Sequence, residues 1–293
     1  MLSKQFSVDS PPFPACLSAE ALSNQLAELA GDDLRQVCIV FSGGKAEFYY
    51  DEDDAAVVAK SVFRLVRKQP HFAKRLQKDF NAHAKAQADS CNAMAANADL
   101  GKAIEEFAAH YAGTEAYAFL AKFSLPLLEK AAKECLEAHL AKKGRDEKIA
   151  EFLGGKQKNK AEEQEQPASE ALAQAAVEIP AACQPYLDAL FVLRKIGEKA
   201  GKANAECLEF SEPLFKQAAL NLKLKPDEIR FMLPKEIAAA LKAGGSPREV
   251  ARERMKYCIF SQKEDFGTFY VGGNAKVFGQ QVLSLAGDRT ANK

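Results

Sequence analysis

The sequence lacks the features that would mark a membrane-spanning, secreted or nucleic-acid-binding protein. Its 293 residues contain no tryptophan, and no apolar run approaches the roughly 20 residues that a bilayer-spanning helix needs. The N-terminus has no apolar segment of the kind found in a secretory signal. Lys and Arg number 40 and so do Asp and Glu, which leaves no basic excess for binding a phosphate backbone. We therefore expect a cytoplasmic protein that binds neither membrane nor nucleic acid.

The seven cysteines are scattered along the chain, and none forms a Cys-x-x-Cys pair. A disulfide framework or a zinc knuckle would need clustered cysteines. The pattern favours reduced thiols that are buried as small apolar side chains. No metal site and no cofactor are expected, because the phosphate-binding-loop motif and the His-x-x-x-His motif are both missing.

Two stretches of strand-like pattern, one near each end of the chain, predict β-hairpins. Apolar and polar residues alternate over 36–41 and 45–50, on either side of a Ser-Gly-Gly turn. Short apolar runs over 257–261 and 268–271 flank a second turn. Isolated two-stranded hairpins are only marginally stable in water, so we expect the two hairpins to lie near each other.

The rest of the chain has helical periodicity. It predicts a mainly α protein, a multi-helix bundle with two short β-hairpins near the two ends of the chain. Three prolines at 11–14 indicate an extended arm over 1–17, and a short helix follows from residue 18. Gly113 indicates a helix break, and Pro126 and Pro213 each fit the first position of a new helix.

Composition divides the chain into five parts. Residues 1–34 form the N-terminal arm and short helix, and 35–154 hold the first hairpin with the first helical half. Residues 155–167 are polar without any large apolar side chain, which predicts a mobile loop. Residues 168–286 form the second helical half with the C-terminal hairpin and helix, and 287–293 are a tail.

The polar residues His110, Tyr111 and Glu115 stand in an apolar-faced helix. They are candidates for lining a ligand pocket between helices. The alternative is a set of polar groups that are satisfied by neighbours or face solvent. No catalytic residue is expected, since no recognised catalytic motif occurs in the sequence.

Three other clusters have a structural explanation that we prefer to a functional one. The acidic run 51–54 suits the first turn of a helix better than a metal site. Cys135 and His139 stand one helical turn apart, which makes them neighbours on a packed face rather than a catalytic pair. The basic residues in 248–256 are explained by a solvated helix face that pairs with Glu249 and Glu253.

Three stretches in the second half carry a recognisable pattern, FVLRKIGEKA, SEPLFKQAALNLKLKPDEIRFMLPKEIAAALKAGG and SPREVARERMKYCIFSQKEDFGTFYVGG. They include Arg194 in a long helix, a Leu-Pro-x-Glu-Ile helix start at 233–237, and the pair Glu253-Arg254 before a hairpin. This segment resembles the region that precedes the mobile phosphohistidine domain in phosphoenolpyruvate-utilising enzymes, of the phosphoenolpyruvate synthase-like and rifampicin phosphotransferase-like kinds. In the first half, FSGGKAEFYYDEDDAAVVAKSVF is similar to the opening of their helical domain, so the resemblance covers about residues 35–280.

The resemblance implies the helical middle domain alone. We expect neither the swivelling domain with its Thr-Gly-Gly-x-x-Ser-His-type motif nor an ATP-grasp domain, because the residues after 280 and before 35 are too few. In rifampicin phosphotransferase-like proteins the corresponding domain holds the acceptor substrate. The resemblance thus implies a small-molecule ligand or docking on separately encoded phosphohistidine and ATP-grasp subunits, and it adds Arg194 to the candidate binding residues.

Three functional hypotheses follow. The first is a non-catalytic, stand-alone helical binding domain that presents a small acceptor to separate catalytic subunits or docks with them. The second is a structural protein–protein interaction module without a ligand. The third is an independent enzyme with a site around His110, Tyr111 and Glu115. A pocket in the helical body favours the first, a packed bundle the second, and a cleft with strongly shifted pKa values the third.

Overall fold

A computed structural model describes most of the chain. It places residues 2–42, 44–94, 99–140, 149–150, 153, 179–264 and 266–290, with the side chains of all except 93–94 and 283–290. The predicted polar loop at 155–167 lies outside these residues, so its mobility stays a prediction. The predicted domain boundaries on either side of this loop, at 154–155 and 167–168, also lie outside the described residues and stay predictions.

The protein is mainly α-helical, as predicted. The helices of the first half are α1 (Pro12–Glu20), α2 (Leu26–Ala30), α3 (Glu52–Lys68), α4 (Phe72–Met94) and α5 (Leu100–His139), with a π-helical segment at Ala21–Gln25 between α1 and α2. Those of the second half are α6 (Gln184–Asn221), α7 (Pro226–Ile229), α8 (Pro234–Ala243), α9 (Arg248–Lys256) and α10 (Gly272–Thr290). α5 and α6 pack along each other, and α4 packs against both. None of the described helices is long and apolar enough to span a bilayer.

Five strands form one antiparallel sheet, which corrects the prediction of two hairpins near the chain ends. They are β1 (Ser3–Val8), β2 (Val37–Ser42), β3 (Lys45–Tyr50), β4 (Cys258–Lys263) and β5 (Phe266–Val271), in the order β1-β3-β2-β4-β5. The two predicted hairpins join through β2 and β4, where Ile39 lies opposite Phe260. The expectation that they lie near each other is confirmed, and the pairing supplies the extra strands that an isolated hairpin lacks.

The predicted N-terminal arm over 1–17 is only partly extended. β1 pairs with β3 along the edge of the sheet, and α1 begins at Pro12 rather than at residue 18. Pro11 is extended and precedes α1, while Pro12 and Pro14 lie in its first turn. Backbone N–H groups of a first turn have no partner within the helix, so proline is tolerated there.

Pro126 and Pro213 lie inside long helices, although the sequence suggested that each opens a new one. α5 runs through Pro126 for 40 residues in all, and α6 runs through Pro213 for 38. A proline in a helix interior removes a backbone hydrogen bond and costs about 3 kcal/mol. Burial of the surrounding turns offsets that cost, since Leu128 and Leu214 close to the prolines belong to the core.

Gly113 does not break α5, in contrast to the prediction. A Cβ atom built on this residue would lie 2.5 Å from Cε1 of His83 in α4. Glycine at this position therefore permits the close approach of α4 rather than ending the helix.

The sheet lies between the helical body and α10. Side chains of a strand point alternately to its two faces. In β2, Ile39 and Phe41 belong to the main core with the helices, whereas Cys38 and Val40 pack in a second cluster with Ala275 of α10. Because both faces are covered, β2 is apolar along most of its length.

Candidate ligand-binding site

A small pocket lies between β1, α1 and α5. Its volume is about 230 Å³. Apolar side chains dominate the wall, with a few polar groups among them; the lining residues are Phe6, Val8, Ser10, Pro14, Ala15, Ser18, Phe48, Tyr111, Glu115 and Phe119. Tyr111 and Glu115 share one face of α5 because they are four residues apart. The structure thus brings two of the four sequence-predicted binding residues into one pocket.

The Glu115 carboxyl is held by hydrogen bonds from two uncharged donors. Ser18 Oγ donates to Oε1 at 3.1 Å, and Asn204 Nδ2 donates to Oε2 at 2.7 Å. Burial raises the pKa of Glu115, and the two hydrogen bonds lower it by a smaller amount. Desolvation favours the neutral form of a carboxyl, so the pKa of Glu115 lies above its ordinary value although both oxygens accept hydrogen bonds.

Beyond Glu115, a chain of buried polar side chains continues through the helical body. Gln87 Nε2 donates to Asn204 Oδ1 at 2.9 Å, and Thr114 Oγ1 donates to Gln87 Oε1 at 2.8 Å. Gln87, Thr114 and Asn204 are all buried. Partners from α1, α4, α5 and α6 therefore satisfy one another, and this fixes the direction in which Glu115 points.

Tyr111 is buried in the pocket wall and packs on the ring of Phe107, with 5.8 Å between ring centroids. Burial raises its pKa above the usual range, and the neighbouring Glu115 raises it further. The phenol therefore stays neutral and keeps its O–H as a hydrogen-bond donor.

His110 lies on another face of α5 and does not line this pocket. Its ring is 5.8 Å from that of His83, and Nε2 of His83 is 3.2 Å from the backbone oxygen of His110. Burial lowers the pKa of His110, and the neighbouring His83 lowers it further. His110 is thus placed at the α4–α5 contact, away from Tyr111 and Glu115.

Arg194 does not line the pocket, and its guanidinium binds other residues of the protein. Nη2 donates to Glu129 Oε1 at 2.7 Å, and Nη1 donates to the backbone oxygen of Leu153 at 2.7 Å. The guanidinium therefore ties α6 to α5 and to residue 153. These bonds occupy two of its five N–H donors with groups of the protein itself.

A second, larger groove of about 730 Å³ lies between α4 and α6. Its lining residues are Phe80, Asn81, Ala84, Gln87, Ala88, Cys91, Asn92, Lys199, Lys202, Ala203, Glu206, Cys207 and Phe210. Two buried thiols stand in this lining, and the Sγ atoms of Cys91 and Cys207 are 2.8 Å apart. Nothing in the sequence pattern brought these two residues together, because they are 116 positions apart.

Cys135 and Cys183 form a disulfide, which corrects the prediction that the cysteines are reduced. The Cα atoms are 5.6 Å apart, and the bridge links the end of α5 to the start of α6. The sulfurs and His139 lie within 4.8 Å of one another, but a disulfide provides no thiolate for a metal. The five remaining cysteines are buried and free, as expected.

The acidic run 51–54 begins a helix, as predicted. Asp51 precedes α3, and its Oδ1 accepts a hydrogen bond from the backbone N–H of Asp53 at 3.0 Å. Asp54 accepts from Nε of Arg35 at 2.8 Å. Asp51 therefore caps the start of α3, and Asp54 forms an ion pair with Arg35.

The basic residues of α9 pair with other carboxylates than those predicted. Arg248 and Arg252 contact Glu228, and Arg254 binds Glu236 through two hydrogen bonds of 2.6 and 2.7 Å. Both acceptors sit in the first turns of α7 and α8, where they also accept backbone N–H groups. The pairs therefore hold α7, α8 and α9 together.

No protein-family model matches this sequence, and comparisons with curated proteins and with solved structures find no match either. The similarity to phosphoenolpyruvate-utilising enzymes therefore stays a prediction from the sequence.

Proposed function

We propose that this protein is a helical binding domain that holds a small, mainly apolar molecule in the pocket at Tyr111 and Glu115. The observation that carries this proposal is a half-buried, hydrogen-bonded carboxyl on the wall of a mainly apolar pocket. Ligand sites in proteins combine apolar walls with a few fixed polar groups. The network behind Glu115 fixes that carboxyl before any ligand arrives.

The dimensions and chemistry of the pocket define the ligand class. A volume of about 230 Å³ lies below the roughly 300–1,000 Å³ of drug-sized sites, so the ligand has to be small. Rings of Phe6, Phe48 and Phe119 suit an aromatic or aliphatic body. The Tyr111 phenol and the Glu115 carboxyl suit an uncharged hydroxyl group, which can accept a hydrogen bond from the one and donate to the other. A hydroxyl-bearing ligand is also what a phosphoryl acceptor requires.

The resemblance to phosphoenolpyruvate-utilising phosphotransferases supplies the wider context of the proposal. A domain of this kind would present its bound acceptor to separately encoded phosphohistidine and ATP-grasp subunits. The support for this step is the similarity of residues 35–280 to the helical middle domain of those enzymes.

A protein–protein interaction module without a ligand is the second candidate. It is supported by large apolar side chains that face solvent, among them Phe266 with 77% of its surface exposed and Leu220 with 71%. Exposed apolar groups of this size are common at interaction surfaces when they form a continuous patch. The two candidates differ in whether the pocket at Glu115 binds anything.

Binding of small phenols and aliphatic alcohols, measured by ligand-observed NMR on the full chain, tests the leading proposal. Ala15 lines the pocket and is buried, so Ala15→Met fills part of the space. We expect p-cresol to bind the wild type and to lose at least tenfold in affinity with Ala15→Met. Ala203→Met, in the groove between α4 and α6, is the matched control and should bind normally. Equal binding by both variants, or no binding to the wild type, would contradict the proposal.

A further inference from the structure

Cys91 and Cys207 are held nearly at bonding distance by two packed helices. Their Sγ atoms are 2.8 Å apart, less than about 1 Å beyond the S–S bond length of roughly 2.05 Å. Cys91 lies on α4 and Cys207 on α6, and these helices pack against each other. The fold therefore holds the two sulfurs in direct contact with each other.

The pair lies where a small polar reagent can reach it. Both cysteines belong to the lining of the groove of about 730 Å³, together with Lys199 and Lys202. Gln87, which lies in the same groove, supplies a further polar neighbour through its side-chain amide.

The hydrogen bond between the two thiols shifts their pKa values in opposite directions. The bond from Cys207 lowers the pKa of Cys91, and the same contact raises the pKa of Cys207 together with burial. The free cysteines in and beside the sheet are different, since burial raises the pKa of Cys38 to about 11 and that of Cys258 to about 12. Neither of these lines either of the two cavities.

We propose that Cys91 and Cys207 are a reversible thiol-oxidation site that closes to a disulfide when hydrogen peroxide or a similarly small hydroperoxide enters the groove. The proposal is independent of the binding function assigned to the pocket at Glu115. It rests on the distance between the sulfurs and on their position in the groove.

The reaction takes place in two balanced steps. The Cys91 thiolate attacks one peroxide oxygen, the O–O bond breaks, and hydroxide leaves and takes up the proton that Cys91 had released. The Cys207 sulfur then attacks the sulfenic sulfur of Cys91, the S–S bond forms, and the S–O bond breaks. The second water leaves with the proton of Cys207. In total, two thiols and one peroxide give one disulfide and two waters.

Peptide mapping of the wild-type chain tests the proposal directly. The protein is reduced with dithiothreitol, freed of it, treated with hydrogen peroxide, alkylated and cut with trypsin. Cleavage after lysine places Cys91 in fragment 86–102 and Cys207 in fragment 203–216. We expect these two fragments to appear as one linked species that dithiothreitol separates again. Cys38, in fragment 36–45, is the internal control and should remain open to alkylation.

A second measurement detects the bond through stability and does not depend on mapping. A background with Cys135→Ser and Cys183→Ser removes the other disulfide from the comparison. In this background, peroxide should raise Tm by on the order of 5 °C, because the disulfide between Cys91 and Cys207 closes a long loop. The same background with Cys207→Ser should show no rise in Tm.

Fragments 86–102 and 203–216 that stay unlinked, or oxidation of Cys38 as fast as that of Cys91, would overturn the proposal.

Discussion

Glu115 and Asn204 connect the two longest helices across their interface, with Asn204 Nδ2 donating to Glu115 Oε2 at 2.7 Å. The two residues are 89 positions apart in the chain. Ser18 satisfies the other carboxyl oxygen, and Gln87 continues the hydrogen bonding from Asn204. The carboxyl that faces the pocket is therefore preorganised, which reduces the ordering that a ligand would otherwise have to bring about.

Replacing Glu115 with Gln should make stability less dependent on pH. Burial raises the native pKa of Glu115 above its unfolded value near 4.5. Between these two pKa values the native state binds more protons than the unfolded state, so wild-type stability falls as pH rises through that interval. Urea unfolding from pH 4.5 to 8 should therefore show Glu115→Gln gaining stability relative to the wild type as pH increases.

The control for this experiment is Glu115→Ala. It leaves the Asn204 amide without its acceptor and should cost about 1–3 kcal/mol. A difference between wild type and Glu115→Gln that stays constant over the whole pH range would show that the native pKa of Glu115 is not raised.

A methyl group at position 113 should destabilise the protein. The Cβ of Gly113→Ala would lie 2.5 Å from Cε1 of His83, so the imidazole or α4 has to move, at a cost of about 1–3 kcal/mol. Gly201→Ala is the matched control, because nothing lies within 4 Å of its Cβ and alanine is the better helix former by about 0.5–1 kcal/mol. Chemical denaturation should show opposite signs for the two variants. If His83→Ala does not restore most of the loss in Gly113→Ala, the close contact is not its cause.

Arg254→Lys should lower stability more than its conservative character suggests. The guanidinium binds Glu236 through two nitrogens, donates to the backbone oxygen of Phe231 at 3.0 Å and lies 3.9 Å from the ring centroid of Phe269. A lysine ammonium cannot reproduce this forked geometry. Because Arg254 is buried, we expect a loss of about 2–4 kcal/mol in the free energy of unfolding.

Arg252→Lys serves as the comparison for that variant. Its side chain is largely exposed, and Arg248 contacts the same acceptor, Glu228. Because Arg252 is exposed and Arg248 still contacts the buried Glu228, the substitution should change stability by less than about 1 kcal/mol. If urea titrations show equal losses in the free energy of unfolding for Arg252→Lys and Arg254→Lys, the two hydrogen bonds from Arg254 to Glu236 do not contribute more to stability than the exposed ion pair.

The Cys135–Cys183 disulfide should stabilise the chain only under oxidising conditions. Cys183→Ser removes the bridge, and urea unfolding without a reductant should show a loss of about 2–4 kcal/mol. With dithiothreitol the variant and the wild type should converge. A wild-type protein whose Cys135 and Cys183 can both be alkylated without prior reduction would refute the bridge.

Local patterns in the sequence predicted the local structure well. The alternation in β2 and β3, and the acidic start of α3, correspond to elements that the structure contains. Helix boundaries at Pro126 and Pro213 were wrong because tertiary packing keeps helices continuous through residues that break them in isolation. The pairing of the two hairpins followed from a physical argument about hairpin stability rather than from a motif.

The candidate site could be predicted only in part. Tyr111 and Glu115 were identifiable as polar residues on an apolar helix face. Ser18 and Asn204, the hydrogen-bond partners of Glu115, were not, because hydrogen bonds across 97 and 89 positions leave no periodic signal in one sequence. A buried asparagine in the middle of α6 was the available hint, since a polar side chain in a core needs a partner. The disulfide was missed for the same reason.

The most direct test of ligand binding at Glu115 is a methyl NMR titration of alanine-labelled full-length protein with p-cresol. Ala15 lines the pocket, and Ala203 lines the separate groove between α4 and α6. The proposed function predicts saturable shifts of the Ala15 methyl signal, with Ala203 unchanged, and loss of those shifts in Glu115→Ala. Chemical-shift changes confined to Ala203, or an Ala15 methyl signal that does not shift at saturating p-cresol, would contradict the proposed function.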